Sequence, residues 1–361
     1  MRVGLVLEQC LAPVPGGTGR YSREVAAALV RRAPTGDAVT GATAWHRDRL
    51  DLDGLPIRRL PLPRRALVAA WERGRGPAVG GDVVHALTPL APPRRRTPLV
   101  VTVHDAVPWT HPETLTPRGV RWHRAAVETA ARTADVVVVP TRAVALELAR
   151  HISFGDRVRV VGEGVSTDLV VPADAAERAA RMELPERYLL TVATLEPRKG
   201  LSVLLEALAR TEAPDLPLLV AGQPGWGGLD LREQAGRLGL AARVRLLGRV
   251  PDADLAVLMA RATAVVMPSR AEGFGLPLLE AMSLGTPVVT STAPALVEVA
   301  GGAALAVADV DLAAALRGLV EDDVLRARLG DAGRRRAADF TWDGAADALW
   351  AIYGEIAATR A

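Results

Sequence analysis

The chain has 361 residues, 44 lysines and arginines against 41 aspartates and glutamates, and 49% hydrophobic residues. That length exceeds what one hydrophobic core usually supports and predicts two domains of roughly 150 to 200 residues each. Cys10 is the single cysteine and all six histidines precede residue 152 without a His-x-x-His or His-x-x-x-His pair, which excludes an internal disulfide, a multi-cysteine zinc site and a zincin-type metal site.

No apolar run approaches the ~20 residues that span a bilayer, and the N-terminus lacks a charged-then-apolar signal pattern, so the expected protein is soluble and cytoplasmic. The net charge of +3 conceals an asymmetry, because the first hundred residues hold 16 arginines and 8 acidic residues while the rest carries a surplus of about five acids. A basic first half suits an anionic partner. The chain has no asparagine, and Lys199 is its only lysine. A lysine kept in so arginine-biased a sequence calls for an explanation.

In chain order, Arg2–Leu7 reads as a buried strand, Ala12–Gly19 as a proline- and glycine-rich loop, and Tyr21–Arg32 as an amphipathic helix. Asp82–His85, Leu99–His104, Asp135–Val139 and Val158–Val161 are further strands of the kind parallel sheets bury, with a helix over Arg118–Arg132. The stretch Ile57–Arg75 mixes paired arginines with Leu67, Val68 and Trp71 and is expected to be a surface excursion. A second series starts at Tyr188–Val192. It continues through a helix with Leu201, Leu204, Leu205 and Leu208 on one stripe, and through strands Leu216–Ala221, Val244–Leu247, Ala264–Met267, Pro287–Thr290 and Ala304–Val307. The alternation predicts an α/β protein with two doubly wound sheets and a boundary near Val165–Ala175.

Four segments could carry chemistry. Ser269–Met282 runs from a strand into a helix, with Glu272 in the loop, Gly273 and Gly275 allowing close backbone approach, Pro277 in the first turn and Glu280 eight residues after Glu272. The first-turn amides offer donors to an anion; the plain alternative is a capping glutamate and a helix-surface glutamate. Arg198 and Lys199 sit at a helix start, where two cations oppose the macrodipole unless an anion such as a diphosphate offsets them; the alternative is a solvated basic turn. Gly16 and Gly17, in a glycine loop after the first strand, can bring amides to a phosphate or sugar, or simply make a turn. His104, at the carboxyl end of a strand, is placed to bond a sugar hydroxyl or to be satisfied by backbone. Asp252-Ala-Asp254 has a metal-binding D-x-D spacing, but Asp252 reads better as an N-cap with Asp254 in the first turn, and Asp309-Val-Asp311 reads likewise.

Taken together, the Gly16-Gly17 loop, Thr102–Asp105, Gly162–Val165, Arg198-Lys199-Gly200, Ala221-Gly222, Gly248–Asp252, Glu272-x7-Glu280, Gly285–Val289, Glu298–Gly301 and Phe340–Trp342 resemble the retaining glycosyltransferases of GT-B fold called family 4. The resemblance covers nearly the whole chain. It implies two Rossmann-like domains facing a central cleft: an acceptor domain at 1–168, a nucleotide-sugar domain at 169–341, and a last helix at 342–361 crossing back to the first.

It also implies site roles. Glu280 would hold ribose hydroxyls, Glu272 the transferred sugar, Arg198 and Lys199 the diphosphate, the backbone of Gly273, Phe274, Gly275 and Leu276 the sugar or phosphate, and His104 the sugar from the other domain. Glu163 stands where the family usually has asparagine, and Val297 where proline is common. No metal and no cofactor are expected beyond the donor, a GDP- or UDP-linked sugar.

Thr102–Trp109, His111–Glu113 and Gly222–Gly227 look most like bacterial mannosyltransferases, pointing to GDP-mannose. Expected partners are the donor, a glycan or lipid-linked acceptor and, through Arg58, Arg59, Arg64, Arg65, Arg73, Arg75 and Arg94–Arg96, the anionic inner face of the cell membrane, but no nucleic acid. A sugar-nucleotide epimerase of the same fold and a non-catalytic sugar-nucleotide binder are the competing readings.

Overall fold

The structure is a computed structural model describing residues 1–93 and 96–359. The chain forms two units. The first comprises Met1–Thr110, Pro117–Gly164 and Thr341–Ala361; the second comprises His111–Thr116 and Val165–Phe340. Residues 94, 95, 360 and 361 lie outside the described residues, and with them two arginines of the expected membrane-facing set, Arg94 and Arg95.

In the first unit seven strands, β1 (Arg2–Val6), β2 (Ala38–Trp45), β3 (Ile57–Pro63), β4 (Val83–Ala86), β5 (Leu99–Thr102), β6 (Val136–Val139) and β7 (Val158–Val160), form a sheet of order β3-β2-β1-β4-β5-β6-β7. Every pairing is parallel. Such a sheet is covered on both faces, which is why β4, β5 and β6 are buried along their whole length and why β6 consists of four valines.

In the second unit β8 (Leu189–Val192), β9 (Leu218–Ala221), β10 (Val244–Gly248), β11 (Ala264–Met267), β12 (Val288–Thr290) and β13 (Leu305–Ala306) form another parallel sheet, of order β10-β9-β8-β11-β12-β13. The leucine stripe at 201, 204, 205 and 208 is buried in that unit's core with Leu218, Val220, Val266 and Leu316. Burying each such side chain contributes about 1.5–3 kcal/mol relative to leaving it in water.

Three expectations need correction. Ile57–Arg75 is not an excursion: Ile57–Pro63 is the edge strand β3 and Arg64–Glu72 the helix after it, with Leu67 and Trp71 in the core. The strand pattern was obscured because an edge strand needs only one buried position in its middle, here Leu60. The burial of Leu67 and Trp71 also withdraws the large apolar groups that a membrane-inserting face would need.

The glycine loop is shorter than expected, since a helix already runs over Gly16–Arg31 and Gly16 and Gly17 form its first turn. Finally, Pro251 holds the N-cap position before the helix Asp252–Arg261, so Asp252 lies inside the helix, while Asp254 pairs with Arg178 at 2.7 Å. Likewise Ala308, not Asp309, holds the N-cap position before the short 3-10 turn Asp309–Asp311, and Asp311 stands at the N-cap of the helix that follows without a side-chain cap bond.

The terminal helix Trp342–Ala358 packs against Gly16–Arg31 within the first unit. Thr341 caps it through Gly344 N–H at 3.0 Å, and Trp350 Nε1 donates to Leu29 O at 3.1 Å. Arg31–Asp343 and Arg32–Asp347, both 2.8 Å, lie on the surface, where solvent screening leaves such pairs little weight. The buried apolar face, with Leu349 and Tyr353 fully enclosed, supplies most of the attachment.

Candidate active site

In an open parallel sheet, ligands bind beyond the carboxyl ends of the strands where the strand order reverses. In the second unit that point lies between β8 and β11. The chain leaves β8, enters a short 3-10 turn at Pro197–Lys199 and passes through Gly200 at φ +66°. A Cβ on Gly200 would stand 1.9 Å from Pro268 O; only glycine lets the turn after β8 lie against the loop after β11. Arg270 N–H then donates to Arg198 O at 2.9 Å, tying the two loops together.

These loops assemble a charged cluster. Lys199 Nζ donates to Glu272 Oε1 at 2.6 Å, Arg198 Nη1 to Glu272 Oε2 at 3.2 Å, and Arg198 Nε to Glu196 Oε2 at 3.1 Å. Thr194 Oγ1 donates to the other oxygen of Glu196 at 2.6 Å. Burial alone would raise the Glu272 carboxyl, but Lys199 and Arg198 together outweigh it and hold the group down at about 2. Burial and the neighbouring Arg198 lower the Lys199 ammonium, while Glu272 acts the other way. The carboxylate is therefore firmly ionised, and the two cations are fixed in place by it.

Arg198 and Lys199 stand at a helix start, against the macrodipole. They need an anion, and the resting protein supplies two, Glu272 and Glu196. Glu196 opens the same short motif, and its burial (2% exposed) as a counter-ion is not signalled by the residues beside it.

Gly275, at φ +96°, is the N-cap of the helix Leu276–Ser283, and a Cβ there would meet Leu296 Cδ2 at 2.4 Å. Gly273 precedes it, and Phe274 is buried edge-on against Phe340 with centroids 5.6 Å apart. The loop backbone is thus clamped; Pro277 has no N–H and Leu278 N–H donates to Gly275 O at 2.9 Å, so within the first turn it is the Leu276 amide that has no acceptor inside the helix. Glu280 lies on the second turn of the same helix and is 2% exposed.

In the first unit the strand order reverses between β1 and β4. Gly16 and Gly17 follow β1 as the first turn of a 16-residue helix. His104 follows β5: its Nε2 lies 2.8 Å from Leu87 O, its Nδ1 3.7 Å from Glu163 Oε1, and Tyr21 packs edge-on at 4.7 Å. A carbonyl only accepts, so Nε2 carries a proton and Nδ1 is the ring atom facing Glu163. Glu163, a departure without a role in the sequence, is buried beside the histidine.

A neutral network backs it. Tyr353 OH lies 2.6 Å from His85 Nδ1, His85 Nε2 lies 2.8 Å from Thr102 Oγ1, and Thr102 Oγ1 lies 3.3 Å from Tyr21 OH. Burial, reinforced by His104, pushes His85 down to about 3. Nothing in the local sequence marks His85 and Tyr353 as partners, 268 positions apart.

Two doubly wound parallel sheets with charged and polar groups at their reversal points define the class: a GT-B glycosyltransferase fold. Solved structures agree on that fold. Sucrose-phosphate synthase from Thermosynechococcus elongatus matches with a TM-score of 0.79 at 22% identity, covering 99% of this chain and 100% of that one. HepE of Anabaena in complex with UDP matches with 0.73 at 21% identity, covering 98% and 100%.

The family model for glycosyl transferases group 1 matches residues 174–336, and that for Glycosyltransferase Family 4 matches 15–169. O-antigen chain mannosyltransferase B of Escherichia coli is 33% identical over 70% of this chain and 68% of its own length. D-inositol 3-phosphate glycosyltransferase of Streptomyces avermitilis is 33% identical over 96% and 81%. The chain belongs to the group 1 glycosyltransferases of family 4.

Proposed function

We propose that the protein transfers a hexose, with retention and without a metal, from a nucleoside diphosphate sugar to a glycan or lipid-linked acceptor, and that the donor is GDP-mannose. The observation that carries the reading is the Arg198, Lys199 and Glu272 cluster at the β8/β11 reversal point. As the anomeric bond breaks, negative charge grows on the leaving diphosphate, so cations already fixed beside it stabilise the transition state more than the ground state. On donor binding, Arg198 and Lys199 turn from Glu272 toward the diphosphate and Glu272 takes hydroxyls of the sugar. Glu280 holds the ribose. The amides of Gly273, Phe274, Gly275 and Leu276 bind sugar or phosphate, and Gly16, Gly17 and His104 are the first unit's own candidates for contacts to phosphate or sugar. The acceptor hydroxyl attacks from the face the diphosphate leaves, and the departing phosphate takes its proton.

The mannosyltransferase relative supports mannose, and the Anabaena structures solved with UDP support UDP-sugars as the second reading. A panel of nucleotide sugars and acceptors tests this. Acceptor-dependent release of GDP from GDP-mannose is expected; epimer formed without acceptor, or binding without turnover, would reject transfer. Turnover should survive EDTA, and its restoration only by Mn²⁺ or Mg²⁺ would reject the metal-free reading.

Among the described residues no helix is long and apolar enough to cross a membrane. With Leu67 and Trp71 in the core, adsorption to lipid rests on charge from exposed Arg58, Arg65, Arg73 and Arg75. Co-sedimentation with anionic vesicles should therefore vanish at high salt. Indifference to lipid charge or to salt removes it.

A further inference from the structure

At the carboxyl ends of β1, β2 and β3 a second group of side chains converges, outside the donor-site roles given above. Glu8, just past β1, is 2% exposed. Its Oε2 accepts from Ala44 N–H at 2.7 Å, and its Oε1 lies 2.8 Å from His46 Nε2 and 3.5 Å from Arg64 Nε. A carboxylate only accepts, so His46 Nε2 is the donor, which leaves Nδ1 as the ring's other hydrogen-bonding atom. One buried carboxylate thus fixes the end of β2, the residue after it and the first residue of the helix after β3.

Between Ala44 and His46 stands Trp45, the last residue of β2, with 53% of its surface in water. The guanidinium of Arg59 lies 6.0 Å from its ring centroid and donates through Nη1 to His46 O at 3.0 Å. A lone exposed apolar side chain needs no explanation. This indole differs because its surroundings are held rigidly by Glu8 and because it sits on the ligand-binding edge of the sheet. An exposed indole bordered by fixed N–H donors is the arrangement that takes a sugar ring, C–H face on the indole and hydroxyls toward the donors. The two guanidiniums already serve His46 O and Glu8, so the patch suits hydroxyls better than a phosphate.

We propose that Trp45, with Arg59, His46 and Arg64 at its border, is a subsite for a saccharide ring of the acceptor glycan. This rests on the reading of the protein as a transferase to a glycan. Strand order places β2 three strands from β5, after which His104 follows. At about 4.8 Å per strand this is roughly 14 Å along the sheet edge, two or three sugar rings away. The subsite therefore reads a distal ring and makes the enzyme prefer longer acceptors.

The test is a binding titration of the full chain, with GDP present, against α-linked manno-oligosaccharides and gluco-oligosaccharides of one to four rings. Wild type should gain at least about tenfold in affinity between one ring and three or four in one of the series, a step of the size stacking supplies. Trp45→Ala should abolish that step, and Trp45→Phe should keep most of it. Thermal melts of both variants that coincide with wild type show that any lost step reflects binding and not misfolding. A step that persists in Trp45→Ala, or no step in wild type for either series, overturns the subsite. Acceptor-dependent nucleotide release by wild type, measured separately, judges the transferase reading on its own.

Discussion

The two units gather polar side chains near the same topological point of the same kind of sheet, yet with opposite chemistry. In the second unit the groups are ions held by ions: Lys199 and Arg198 by Glu272, and Arg198 again by Glu196. In the first they are neutral groups in a chain of hydrogen bonds, Tyr353 to His85 to Thr102 to Tyr21, with His104 alongside. The difference teaches how a buried site is kept in order. Ion pairs fix position at the cost of desolvation and are ready to change partner when a charged ligand arrives. A satisfied neutral network resists rearrangement because each broken bond strands a buried polar atom.

The largest effect expected from this contrast is at Lys199. Lys199→Ala should reduce turnover about 100-fold or more, the scale of losing one transition-state donor. Lys199→Arg should retain part of it, since a planar guanidinium cannot replace a compact ammonium. Lys199→Ala should also melt earlier, by the equivalent of about 2 kcal/mol, because Glu272 is left buried with Arg198 alone. Steady-state kinetics at saturating donor and acceptor, with a melt of the same preparation, check both; near-normal turnover would remove Lys199 from the diphosphate.

A pH series separates the units next. The folded His85 value of about 3 lies below the ordinary 6.5, so the unfolded chain binds the proton first and stability falls as pH drops from about 6.5 toward 3. By pH 5 the loss should reach about 2 kcal/mol. Glu272, held at about 2 against an ordinary 4.5, contributes stability that is present above 4.5 and lost between there and 2. Melting temperature against pH should therefore decline in two windows. His85→Gln should flatten the upper one and Glu272→Gln the lower; a single window unaffected by either substitution contradicts the assignment.

The smallest effect belongs to Tyr353→Phe, which removes one hydrogen bond to His85 and should cost about 1 kcal/mol in chemical denaturation. No measurable change would show that the hydroxyl does not hold the network.

Most of the architecture was legible in the residues themselves. Runs such as Val136–Val139 declare a strand buried on both faces, and the leucine stripe from 201 to 208 declares a helix with one buried side. Gly200, Gly275 and Glu272 stand in short local motifs whose chemistry is written in adjacent positions. The edge strand β3 escaped because an edge is half wet and its apolar pattern is sparse.

What the sequence by itself determined is local: periodicity, turn glycines, the loops that carry Arg198, Lys199, Glu272 and Glu280, and the family resemblance they make together. What only the tertiary structure decided is partnership. Glu272 as counter-ion of the two cations, Glu163 beside His104, Tyr353 on His85, and Glu8 beneath His46 and Arg64 all join residues whose sequence neighbours give no hint of the contact. The physical reason is that burial and charge balance depend on distance in space. A parallel sheet brings the ends of strands far apart in the chain to one edge, where a side chain's environment is set by loops it does not adjoin.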